Sequence, residues 1–316
     1  MNINGLVKKL PVGLLLQVLR AFRFTTRWYE QIEVEYYAKL ADHSAVHEKE
    51  KSIPAEELTP VFVLSTGRCG TRTMSALADL ISDVDSHHEP EPKLIEASFL
   101  YFMQLCPGAT EIFWQQLLAA NRDELIRQAA RSGRIYCETN NRMALLCELL
   151  VEYYPKAKFI HLVRHPSDFV RSGMRRNYYN NHPWDFVRIY PHPDDSMYAG
   201  WKESSQLEKC SWLWAKTNSH IDRVLSTISE ERKLFVRSED IFNNVESSVR
   251  NVLSFTNDRH IPDAKKIENV LGMKLNQQTH GIFPRWQDWS AEEVRTLQHH
   301  CGELMKKYDY DYDYDI

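Results

Sequence analysis

Val61-Phe-Val-Leu-Ser65 runs directly into Thr66-Gly-Arg-Cys-Gly-Thr-Arg-Thr73, and Met74, Leu77 and Ile81 follow at helical spacing. A short apolar run, a glycine-containing turn and an amphipathic helix make a strand–loop–helix unit. Gly67 and Gly70 let the main chain approach an anion closely, its N–H groups point inward, and the positive end of the helix dipole adds to them. Thr71 and Thr73 bring hydroxyl donors, and Arg68 and Arg72 bring charge. Glycine in such a turn also has a purely steric use. Two arginines and two threonines in the same turn go beyond it. A nucleoside triphosphatase would carry G-x-x-x-x-G-K-[S/T] at this place. No lysine stands in the loop, which points away from ATP or GTP hydrolysis.

Outward from this unit, β-type runs recur at Val84 to His87, Arg134 to Glu138, Lys158 to Arg164 and Lys233 to Arg237. Helical patterns separate them, such as Leu146, Leu149, Leu150 and Tyr153, or the stretch from Cys210 to Ile228. Strand alternating with helix predicts an α/β fold, a P-loop-type parallel sheet of about five strands flanked by helices on both faces. Ligands of such sheets sit at the carboxyl ends of the strands. A last helix is marked by a capping box, Ser290 with Glu293, and by Val294, Leu297, Cys301 and Leu304.

Three segments are expected. Residues 59–308 form the main domain. Residues 1–58 are an appendage whose Leu15, Val18, Leu19 and Phe22 share one helical face, followed by a charged linker around Pro54. That helix either packs on the domain or lies on an anionic membrane surface through Arg20, Arg23 and Arg27. Residues 309–316 close an alternating Tyr-Asp tail that reads as solvated.

The 316 residues are 43% hydrophobic and 26% charged, an ordinary globular balance. A net charge of −4 argues against a broad nucleic-acid face, so any anion site is a local cluster of arginine and lysine. Six cysteines without a C-x-x-C pair suit neither a zinc site nor a disulfide-stapled domain. They read as reduced core thiols of a cytoplasmic protein. The apolar run from Leu10 to Leu19 is too short to span a bilayer and lacks a cleavage pattern. Peripheral membrane contact through the N-terminal helix is the alternative.

A second element is Lys158-Phe-Ile-His-Leu-Val-Arg164-His-Pro-Ser-Asp-Phe-Val-Arg-Ser172. Arg164 closes a strand, Pro166 suits the first turn of a helix, and Ser172 lies two turns in. Arg164 and Ser172 can therefore face one phosphate.

With both elements in view, the sequence resembles the PAPS-dependent sulfotransferases, where PAPS is 3′-phosphoadenosine 5′-phosphosulfate. Arg164, Pro166, Asp168 and Ser172 match the family's R-x-P-x-D-x-x-x-S-like segment, and Glu89-Pro90, Phe235 to Ile241 and Gly281 to Trp286 extend the likeness over about residues 60 to 308. The stretch from Arg164 to Trp214 looks most like bacterial carbohydrate-type members. The resemblance implies PAPS as co-substrate, no metal, and a small-molecule or carbohydrate acceptor with a hydroxyl or amine. It implies that Arg68, Cys69, Gly70, Thr71, Arg72 and Thr73 grip the 5′-phosphosulfate and that Arg164 and Ser172 grip the 3′-phosphate. Arg285 and Trp286 resemble the segment covering the nucleotide end. Many members carry lysine where Arg68 stands; a guanidinium acts there electrostatically rather than as an acid.

Sulfuryl transfer needs a base for the acceptor and a charge clamp for the leaving phosphate. Arg68 is the clamp implied, and Glu89 in His87-His88-Glu89-Pro90 the base. His88 is the rival, its intrinsic pKa being closer to neutral, and Glu91 a third choice. An exposed charged turn is the plain alternative for all three. Thr139 to Arg142 should face the same cleft, with helix capping by Asn140 or Asn141 an equal local explanation. The aromatic insertion from Arg175 to Trp214 reads as an acceptor-binding lid or as a packed cover. A P-loop nucleotide kinase and a non-catalytic nucleotide-binding module are the competing functions.

Overall fold

A computed structural model of the chain describes residues 53–243, 246–259, 261–273 and 281–310. Nearly all of the N-terminal appendage, and with it the choice between core packing and membrane contact, lies outside them. The compact unit described begins at Pro54.

Five strands form one sheet: β1 (Val61–Leu64), β2 (Val84–His88), β3 (Ile135–Thr139), β4 (Lys158–Val163) and β5 (Lys233–Arg237), in the order β2-β3-β1-β4-β5. Every pairing is parallel, as the strand–helix alternation requires. The central β1 is buried along its whole length, and parallel strands covered on both faces are apolar throughout for this reason. Val61 and Val63 pack with Ile160 and Leu162 against Met74 and Leu77 of α1 (Thr71–Ala78). On the opposite side Phe62 meets Phe159, Tyr136 and Tyr154.

α2 (Ile95–Phe102) and α3 (Glu111–Arg131) lie between β2 and β3, and α4 (Cys147–Tyr153) follows β3. After β4 comes α5 (Pro166–Arg175), started by Pro166 in the first turn. A crossover with one short 3₁₀ turn then leads to α6 (Gln206–Leu225), which opens on a capping box of Ser205 and Glu208. β5 passes into the short α7 (Ser238–Phe242), then α8 (Glu246–Thr256) and α9 (Ala264–Gly272). The last helix, α10 (Ala291–Lys307), begins with the expected box of Ser290 and Glu293. Phe169 and Val170 of α5, Trp214 of α6 and Leu297, Cys301 and Met305 of α10 share a second apolar cluster.

The expectation of a solvated tail fails at its start. Tyr308 and Tyr310 are buried. Tyr308 donates to Asp222 at 2.7 Å and stacks on Phe235, and Tyr310 donates to Glu239 at 2.9 Å. Each ring has an apolar seat and its hydroxyl a carboxylate, so burial leaves no polar group unmatched. No helix among the described residues is long and apolar enough to cross a membrane.

Candidate functional site

The first loop, at the carboxyl end of β1, turns into α1 through Gly70, which holds φ +86°. A side chain there would strain the backbone, and its Cβ would lie 2.4 Å from the Phe242 ring. No side chain caps α1. Its first-turn N–H groups are thus left for an acceptor from outside the helix, the arrangement that holds phosphate.

A cleft of about 440 Å³ opens beside this loop. Ser65 to Arg68 and Thr71 line it from the loop, His88 and Glu89 from the end of β2, and Asn140 to Arg142 from the end of β3. Arg176, Tyr178, His182, Trp184 and Arg188 line it from the crossover after α5. The carboxyl ends of three neighbouring strands thus converge there, as parallel sheets dictate.

Arg68, Thr71, His88 and Glu89 are brought together. Arg164 reaches the same loop from the end of β4, donating to the Arg68 carbonyl at 3.0 Å and to Asp168 at 2.8 Å. Arg68 Nε donates to Ser172 Oγ at 3.3 Å. Burial, then the nearby Arg176, push the Arg68 guanidinium below its usual range. Such a group favours an anion beside it. Other members of the expected set stand apart from the cleft wall. The Cys69 thiol is buried, pushed up to about 11 by that burial, and Thr73 is buried as well. Arg72 is exposed, within electrostatic reach of His88. Arg285 is exposed too, on a segment docked to α5, where Arg171 Nε meets the carbonyls of Phe283 and Pro284 and Arg175 Nε that of Gly281.

Glu89 sits just beyond β2 with φ +48°, its N–H donating to the Thr139 carbonyl at 3.1 Å. A non-glycine residue in this region is held there by its surroundings. Those surroundings include a fully buried pair: Arg122 of α3 donates to both oxygens of Glu138, at 2.7 and 3.1 Å. Arg122 also donates to the Pro92 carbonyl at 3.0 Å, and Tyr136 and Asn140 donate to the same carboxylate. Strand β3, helix α3 and the turn after Glu89 are thereby tied together. His88 Nδ1 lies 2.9 Å from Thr139 Oγ1. Burial lowers its pKa, opposed by Glu89, so the ring favours its neutral form. Glu91, the third choice, is exposed and does not line the cleft, although it pairs at 3.5 Å with Lys93, which does.

The two readings of the crossover divide by residue. Tyr179, Trp201 and Trp212 pack edge to face, and Tyr179 donates to the Ile189 carbonyl at 2.6 Å, so they serve as cover. Tyr178 and Trp184 face the cleft. Asn140 caps the 3₁₀ turn Asn141–Leu146 by accepting from Arg142 N at 3.0 Å while also lining the cleft. Sequence reasoning missed Arg176, His182 and Lys93. Arg176 had a signal: it stands four residues after Ser172, one turn on along the same face.

A sequence model described as the sulfotransferase family matches residues 60–258, more than half of the chain. Among solved structures, sulfotransferase STF9 from Mycobacterium avium superposes with a TM-score of 0.52 at 15% identity, covering 87% of this chain and 81% of that one. The sulfotransferase domain from the curacin biosynthetic pathway gives 0.49 at 17% identity, with 83% and 99% covered. Mouse sulfotransferase SULT7A1, solved with PAP, gives 0.44 at 14%, with 83% and 91% covered. At 15% identity the match to STF9 is a likeness of fold. A search of curated proteins finds no match.

Proposed function

The chain belongs to the sulfotransferase family and is a PAPS-dependent enzyme of it; from that premise we propose that it sulfates a hydroxyl of a carbohydrate or glycolipid acceptor, with Glu89 as the base. The observation that carries this reading is the double position of Arg68. It lines the cleft that also holds Glu89, and it is joined to Arg164 and Ser172 on its other side. One residue so connects the seat for the nucleotide's phosphates with the place of reaction.

The uncapped turn of α1, Arg68 and Thr71 fit a 5′-phosphosulfate in charge and donor set. Arg164 and Ser172 suit the 3′-phosphate. PAPS supplies an activated sulfuryl group. Glu89 takes the acceptor's hydroxyl proton as that oxygen bonds to sulfur and the sulfur–oxygen bond to the 5′-phosphate breaks. Arg68 stabilises the charge that collects on the departing phosphate oxygen. Trp184 and Tyr178 offer faces for a sugar ring. All six cysteines are free and five are buried, which suits the cytoplasm.

Calorimetry tests the nucleotide seat. Adenosine 3′,5′-bisphosphate should bind roughly ten- to a hundredfold more tightly than adenosine 5′-monophosphate, the scale of one charge-assisted hydrogen bond. Equal affinities would remove Arg164 and Ser172 from the 3′-phosphate. An acceptor screen with labelled PAPS then addresses the transfer.

A further inference from the structure

Beyond the donor seat, the cleft holds more positive charge than a nucleotide explains. Arg142, Arg176 and Arg188 line it from the acceptor side. Arg142 has no carboxylate within ion-pair distance among the described residues, and its side chain donates to the Val187 carbonyl at 3.3 Å. Glu89 and Glu96 stand within its electrostatic reach only. Arg176 is the sharper case. Its Nε is buried and has no hydrogen-bond partner among the described residues. A buried guanidinium nitrogen without an acceptor costs free energy unless something supplies one. Arg188 is partly matched, with Asp185 at 2.9 Å and the Tyr178 ring 3.6 Å beneath its guanidinium. Burial and then Arg188 depress Arg142, and burial, Arg188 and Arg176 all lower the His182 pKa. These cations therefore feel one another. Among the described residues, Glu89 is the one acidic residue lining the cleft.

We propose that Arg142, Arg176 and Arg188 form an anion subsite for the acceptor, which carries a carboxylate or an ester phosphate or sulfate of its own near the hydroxyl that is sulfated. The inference rests on the sulfotransferase reading of the cleft and adds the charge class of its acceptor. Planar guanidinium groups bind such anions through paired hydrogen bonds. Trp184 at the rim leaves room for the ring that bears the anion. An anionic hydroxyl compound would reach this cleft faster than a neutral one, and the more so at low salt.

The test compares methyl glucoside with methyl glucuronide and methyl glucoside 6-phosphate as acceptors of labelled sulfate from PAPS, with the wild type and with Arg176→Gln and Arg176→Lys. Calorimetry with adenosine 3′,5′-bisphosphate accompanies each protein. Transfer to one or both charged sugars should exceed transfer to the neutral one about tenfold or more in kcat/KM. Which charged sugar is preferred tells carboxylate from phosphate. Arg176→Gln should erase the preference, Arg176→Lys should restore part of it, and both should keep the wild-type affinity for the bisphosphate. Equal transfer to all three sugars, transfer to none, or an equal loss on all three in Arg176→Gln overturns the subsite. Weakened bisphosphate binding in that variant also overturns it, by assigning Arg176 to the donor. Failure of the wild type to bind the bisphosphate would instead strike the sulfotransferase reading beneath it.

Discussion

Glu89 and His88 share the end of β2, yet they are held differently. The Glu89 backbone is fixed in a left-handed conformation, while the His88 ring leans on Thr139. Glu89→Gln keeps the shape and the main-chain bond but removes the proposed proton acceptor. It should slow turnover by about 10²–10⁴-fold with bisphosphate affinity unchanged. His88→Ala should cost far less, because the ring serves to brace the turn. Near-normal turnover in Glu89→Gln together with a dead His88→Ala would transfer the role of base to His88; single-turnover kinetics on both variants decides. At this scale much of the cleft lining was legible, because Arg68 and Thr71 lie in the turn and at the helix start that follow β1, and Glu89 directly after β2, where a parallel sheet exposes its loops. Arg72 and Cys69 were not separable from their neighbours by sequence. In a turn of this kind successive side chains point in unrelated directions, and only the backbone angles decide which one enters the cleft.

The element that carries Glu89 is stiffened by the Arg122–Glu138 pair, which joins α3, β3 and the turn after β2. Burying two charges is costly, and removing one partner leaves the other uncompensated in the interior. Arg122→Leu should therefore destabilise the protein by about 3–5 kcal/mol in denaturant unfolding. If the pair also orders the turn, the surviving folded fraction should lose turnover as well. A variant of full stability would show that Glu138 finds other partners. Nothing in the sequence announced this pair. Arg122 sits among polar residues of a helix with little amphipathic contrast, and an arginine there reads as solvated. The capping boxes, by contrast, were readable because both partners lie within one turn. Tyr308 and Tyr310 fall between the two cases: alternation with aspartate reads as a soluble tail until a tertiary pocket meets each ring.

For the molecule as a whole, stability should depend on pH in two separate windows. Burial lowers both His165 and His220 to about 4. Between that value and the ordinary 6.5 the unfolded chain binds protons that the folded chain refuses. Their contribution is full above about pH 6.5 and is lost as pH falls toward 4. Asp222 acts lower. Burial would raise it, but bonds from His161, Lys307 and Tyr308 prevail and hold it at about 2. Its share is present above its ordinary 3.8 and disappears as pH falls toward 2. Thermal unfolding should show a clear fall in Tm from pH 7 to pH 5; a flat profile there would mean that the two imidazoles are hydrated in the folded state. The sheet also divides the labour of the cleft in a way that bears on descent and on engineering. On the proposed reading, residues from the first loop and from the ends of β2 and β4 handle the nucleotide and the proton, whereas the residues facing the acceptor, Arg142 apart, are concentrated in the crossover between α5 and α6. Both ends of that crossover are anchored, since a Cβ at Gly173 of α5 would already lie 2.9 Å from the Cys210 sulfur of α6. One contiguous, firmly clamped stretch of chain is the unit that recombination or a designer can exchange wholesale, giving the same chemical engine a new clientele without disturbing its ignition.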